Sequence, residues 1–130
     1  MPFNLDESYL VVAERALGAR LPESYRESML RANGGELEVN GDVWQQHPIA
    51  DTSERKRLSR TANHVIMETQ SLQGFPGFPA NALSIASNGA GDSLLFLQRG
   101  SMFEPTVYVW SHETRHVSKV ANDFSELAAL

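Results

Sequence analysis

Between Asp6 and Leu17 the apolar residues Leu10, Val11, Ala13 and Leu17 fall near helical spacing, and Gly18 follows where a helix commonly closes. Leu21-Pro22-Glu23 opens a second helix, because proline near the first helical position loses no hydrogen bond and glutamate suits the positive end of the helix dipole. Tyr25, Met29 and Leu30 continue its inward face, and Asn33-Gly34-Gly35 ends it. The period then changes from 3.6 to 2. Glu36-Leu37-Glu38-Val39 alternates polar and apolar, Asn40-Gly41 is a two-residue turn signal, and Asp42-Val43-Trp44-Gln45 alternates again, which predicts a hairpin. From Asp51 to Leu72, one side of a helix carries Leu58, Ala62, Val65, Ile66, Thr69 and Leu72, so a single inserted helix covering a sheet is expected.

After the repeated tripeptide of Gly74-Phe75-Pro76-Gly77-Phe78-Pro79, a turn-rich connector, come four β-prone runs. They are Leu83 to Ser87, Leu94 to Gln98, Thr106 to Ser111 and His116 to Val120, which together read as an antiparallel meander. Asp123 and Glu126 have capping-box spacing for a last short helix with Phe124, Leu127 and Leu130 on its apolar side. The expected fold is therefore α+β: a single domain over residues 1–130, with a mostly antiparallel twisted sheet packed by N-terminal, inserted and C-terminal helices.

Composition narrows the functional classes. The chain has 130 residues, 42% of them hydrophobic, enough for one core. Its net charge is −5, which argues against nucleic acid or an anionic membrane as a direct partner and favours a protein with a basic surface. Arg55-Lys56-Arg57 and Arg60 make residues 41–60 slightly positive, and four bases in one helical stretch read as a solvated face. The absence of cysteine excludes disulfides and thiolate metal sites, and no apolar run approaches the ~20 residues of a membrane span. A cytoplasmic location is expected.

Three segments invite chemistry. His112-Glu113-Thr114-Arg115-His116 matches the H-E-x-x-H pattern of zinc proteases, in which two histidines one helical turn apart share a metal and the glutamate activates water. Both flanks are strand-like, so the pentapeptide is expected to form a turn, which loses that spacing, and no third ligand stands out downstream. A zinc hydrolase using His112, Glu113 and His116 is the distant alternative. Asn88-Gly89-Ala90-Gly91-Asp92 lacks the lysine and spacing of a phosphate loop, and Asp92 is expected to pin its own turn through backbone amides. His47 and His64 stand alone, and no serine lies in a nucleophile motif. No cofactor and no catalytic residue are assigned.

The order of segments resembles the SUKH superfamily of Smi/Knr-type regulators and bacterial immunity proteins. The matching pieces are Glu14 to Gly18 before Leu21-Pro22-Glu23-Ser24-Tyr25, Asn33-Gly34-Gly35, Trp44, Leu83 to Asp92, Val107 to Glu113, and Val120 to Leu127. Gly89-Ala90-Gly91 replaces an expected glycine run, and Ser111 precedes His112. The resemblance implies a non-enzymatic protein-binding domain. Bacterial members similar to it often neutralise polymorphic toxins, many of them nucleases, whereas eukaryotic relatives regulate cell-wall synthesis or act as adaptors. Combined with the charge, this selects Glu36, Glu38, Asp42 and Glu113 as candidate contacts for a cognate toxin, with Trp44 as an aromatic anchor.

Overall fold

A computed structural model describes residues 2–129. Helix α1 (Glu7–Leu17) starts at Asp6, whose carboxylate accepts the Ser8 amide, and stops at Gly18 with φ 71°. Helix α2 (Glu23–Arg31) follows. Strands β1 (Gly35–Val39) and β2 (Asp42–Gln46) form the expected hairpin. Its turn residues Asn40 and Gly41 both have positive φ, 52° and 85°, as a tight turn between right-twisted strands requires. The meander consists of β3 (Ala82–Ser87), β4 (Ser93–Arg99), β6 (Val107–Trp110) and β7 (Val117–Ala121), with the two-residue β5 (Met102–Phe103) beside β4.

Every strand pair is antiparallel, and the strand order is β7-β6-β4-β3-β2-β1-β8. Strand β8 (Ala128–Ala129) was not expected. Asp123 does cap the turn before it, accepting the Ser125 amide, but only a short 3-10 turn (Phe124–Glu126) forms. The chain then extends and pairs with β1, Ala129 opposite Leu37. Phe124 explains the early stop, because it is buried against Tyr25 and Phe96, and a longer helix would carry the chain away from β1. Leu130, expected on that last helix, lies outside the described residues.

The inserted helix is also two helices. In α3 (Arg55–Arg60) Leu58 is 52% exposed, so the expected inward face is absent there. Helix α4 (Val65–Leu72) buries Val65 and Thr69. Between them the backbone finds other partners. The Thr61 hydroxyl accepts the Asp51 amide, the Val65 amide donates to the Pro48 carbonyl, and the His64 ring accepts the Met67 amide. The Val65 amide is thus taken by a distant carbonyl and the His64 ring caps the start of α4, so a new helix begins there and α3 does not continue.

Alternation along β4 sorts the core. Leu94 and Phe96 point into the main cluster with Leu10, Tyr25, Met29, Leu37 and Ile85, while Leu95 joins Phe78, Ala82 and Trp110 in a smaller one. Tyr25 meets Phe96 and Phe124 edge-on at 5.1 Å each, a geometry worth about 0.5–1.5 kcal/mol per pair beyond area burial. Trp110 crosses Phe78 at 5.3 Å and donates its indole N–H to the Gly77 carbonyl, which fastens the Phe-Pro connector to the sheet. Gly77 has no substitute at this contact: φ is +81° and a Cβ would lie 2.7 Å from Arg115 Cβ.

Candidate functional site

The register of the hairpin divides the candidate contacts. Glu36 faces Gln45 and Glu38 faces Val43 on the outer side of β1 and β2, where all four are exposed. Leu37 opposite Trp44 and Val39 opposite Asp42 occupy the other side. Asp42 is exposed beside the turn, on the reverse face from Glu36 and Glu38. Trp44 is only 4% exposed and belongs to the main core, with its indole N–H unpaired among the described residues. Strand alternation and the Leu37 pairing place it there, so its large area serves the fold rather than a surface contact. Glu113 is exposed on the turn between β6 and β7, and three strands separate β6 from β1 in the sheet order. Of the five residues, only Glu36 and Glu38 share a surface.

Beside the start of β1 lies a cleft of about 280 Å³. Pro2, Phe3, Gly34, Gly35, Gln45, Pro48 and Arg60 are among the residues that line it. Its floor is fixed by polar side chains that are already committed. Asn33, 7% exposed, donates to the Ile49 carbonyl at 2.8 Å and accepts the Ile49 amide at 2.8 Å. Asp51, 2% exposed, accepts from the Ser53 amide and hydroxyl and from Arg57 at 3.2 Å. Burial alone would raise the Asp51 carboxyl, but the Ser53 hydrogen bonds and Arg57 outweigh it and hold the group below the usual carboxylate range. Arg57 also donates to the Asn4 carbonyl at 2.7 Å, tying the N-terminal segment to α3.

Phe3 sits under a set of cations. Lys56, Arg57 and Arg60 lie 5.7, 4.5 and 5.1 Å from its ring centre, within reach of the ring's negative face. The sequence predicts a solvated face for these bases and gives no sign that Phe3 lies against them. The available signal was a run of four bases in an otherwise acidic chain; what was not legible was that residue 3 would lie against it.

His112-Glu113-Thr114-Arg115-His116 forms the turn from β6 into β7, with Arg115 at φ 64°. The two imidazoles are therefore not on successive turns of a helix. His112 is held elsewhere: its Nδ1 lies 2.8 Å from Asp92 Oδ1, and its amide donates to the same oxygen at 3.1 Å. Asp92 thus braces the neighbouring turn through the His112 amide, and within its own loop it accepts from the Asn88 side chain rather than from the backbone amides expected. Asn88 takes the expected role, its side-chain oxygen accepting the Ala90 and Asp92 amides. Burial raises the Asp92 carboxyl, yet the bonds from His112 and Asn88 bring it below its ordinary value. Burial lowers the pKa of both His47 and His64, opposed weakly by Glu68. Among the described residues, no three histidine or acidic side chains converge as a metal site.

The motif segments quoted from the sequence are in this way mostly fasteners. The Glu14 carboxylate accepts the Leu21 amide at 2.7 Å and pairs with Arg26; Asn33 clamps Ile49; Asn88 and Asp92 shape two turns; Trp110 holds the connector. Such a pattern marks an architecture. Residues 4–129 match the family model described as SMI1 / KNR4 family (SUKH-1). The chain belongs to the SMI1/KNR4 family. That match spans almost the entire chain and agrees with the α+β architecture, its helices packed on an antiparallel sheet. No curated protein matches the chain. In this SUKH-1 protein no described helix is long and apolar enough to cross a membrane.

Proposed function

We propose that this SMI1/KNR4-family protein is a non-catalytic immunity protein of the cytoplasm, which binds a cognate toxin and neutralises it by occupying a functional surface. The observation that carries the reading is the exposed outer face of the hairpin, where Glu36 and Glu38 stand two residues apart without an ion pair among the described residues, on a chain of net charge −5. Neighbouring Val43 is 50% exposed and supplies apolar area to the same face. Uncompensated acids of this kind attract a basic protein surface and speed encounter, while the apolar area slows release. Blocking a toxin in this way needs affinity and no chemistry. A regulatory adaptor is the second reading, supported by the matched family being named for SMI1 and KNR4.

The test is capture and rescue. Tagged protein is recovered from the cells that make it at moderate salt, and the stoichiometric partner is co-expressed with and without it in a sensitive host. A partner with a toxic domain whose toxicity this protein relieves supports immunity; recovery of non-toxic partners alone moves the reading to the adaptor. Glu36→Lys with Glu38→Lys is expected to slow association with that partner about tenfold at low salt and to flatten the salt dependence of the rate. Unchanged rates would remove the hairpin face from the interface.

A further inference from the structure

Among the described residues, Arg55, Lys56 and Arg60 are exposed and pair with no acid, although the chain carries five more acids than bases. Arg57, between them, is fully engaged with Asp51, Glu54 and the Asn4 carbonyl. Three like charges on a six-residue helix repel one another, and among the described residues none of the three is in an ion pair, while Lys56 and Arg60 lie over the face of Phe3. Arg60 and Phe3 both line the 280 Å³ cleft, together with Pro2, Pro48, Gln45 and the Gly34-Gly35 backbone. Apolar walls, a side-chain amide and the Arg60 guanidinium therefore meet in one concavity, and the acid that also lines it, Asp51, is 2% exposed and already paired with Arg57.

We propose that this cleft is a docking site for an acidic, extended polypeptide segment of a partner protein. A carboxylate of the segment pairs with Arg60, with Lys56 adjacent, and guanidinium suits a carboxylate because its planar fork donates two parallel hydrogen bonds. The segment's aliphatic part lies against Phe3, Pro2 and Pro48, and its backbone meets the exposed Gln45 amide. The volume falls just below the range of about 300–1,000 Å³ usual for small-molecule pockets, which suits a few residues of chain. Charge complementarity selects this occupant. A nucleic acid presents a long anionic array that the acidic remainder of the surface would repel, whereas a short acidic segment meets the patch with fewer acids around it, Glu36 opposite Gln45 among them. The inference rests on the protein-binding reading above but not on the partner being a toxin, and the cleft adjoins the outer face of the hairpin, with which it shares Gln45.

The experiment uses the full chain and no toxin, so it can fail independently of the rescue test. Fluorescein-labelled hexaglutamate is titrated with protein by fluorescence anisotropy at low salt, where screening is weak. The expected result is saturable binding that Lys56→Gln with Arg60→Gln weakens about tenfold or more, the loss expected for a charge-assisted hydrogen bond. Gln45→Trp keeps every charge while filling the cleft, and it weakens binding as well. The control Arg99→Gln with Lys119→Gln, which removes two cations from β4 and β7, leaves affinity within about twofold, as expected for exposed rim charges. Thermal unfolding of each variant verifies the fold. Absence of binding, equal loss in the control, or indifference to Gln45→Trp would overturn the cleft. Tighter binding of a single-stranded oligonucleotide through the same residues would overturn the peptide in favour of nucleic acid, and self-association abolished by Lys56→Gln with Arg60→Gln would assign the cleft to a second copy.

Discussion

Arg26 and Arg60 lie on short helices of one acidic chain, and the fold treats them in opposite ways. Arg26 on α2 is 3% exposed, donates through Nε and Nη2 to both oxygens of Glu14, and reaches Glu7 at 3.0 Å through Nη1. Glu14 in turn accepts the Leu21 amide, so the ion pair fixes the angle between α1 and α2. Arg60 on α3 is exposed, has no acid partner among the described residues and borders a cleft. A buried charge tolerates no vacancy in its partners, because the desolvation cost is then unrecovered; an exposed charge with no internal partner costs little and stays available. Internal compensation is thus a criterion for separating charges that build this protein from charges that meet something else.

The largest effect should come from Arg26→Met. Removing one partner of a buried pair destabilises by about 3–5 kcal/mol, since Glu14 is left charged in a half-buried position. Urea unfolding measures this, and a loss below about 1 kcal/mol would mean that burial and pairing do not make Arg26 structural.

Asp51 provides the intermediate case, a buried acid paired with Arg57 of the same α3 helix. Its folded-state pKa is depressed, so its contribution is fully present above the ordinary carboxylate value near 3.9 and is lost as pH falls through the lower folded value. Asp92 and Asp123 are depressed too and act in the same window. Stability should therefore hold from neutrality to about pH 4.5 and fall below it, with a shallower acid limb in Asp51→Asn. Urea midpoints between about pH 2 and 6 trace that limb, and an identical slope in the variant would deny Asp51 its role.

The smallest effect is expected from Lys56→Gln with Arg60→Gln. Stability should change by less than about 0.5 kcal/mol, as for exposed residues without specific partners, even as acidic-peptide binding is lost. A destabilisation near that of Arg26→Met would show that the Phe3 contacts, rather than an external partner, account for these cations.

Local rules determined much of this protein before any tertiary contact. Gly18 closes α1, Asn40-Gly41 turns the hairpin, the alternation of Glu36 to Val39 separates solvent from core, and the strand-like flanks of residues 112–116 preclude a helix there. Each depends on residues within a few positions of one another, and backbone sterics and side-chain period act at that range.

Tertiary structure decided the rest through contacts between distant segments. Pro48 draws off the Val65 amide and splits the inserted helix; β1 recruits residues 128–129 into a strand; Leu37 and the core claim Trp44; Asp92 reaches His112 twenty positions on. The cleft is the extreme case, because it brings residue 3 against residues 56–60. Neither segment has a local preference for the other. Their meeting depends on how the sheet and helices pack, and hydrophobic burial drives that packing without encoding which polar side chains will be left together at its edge.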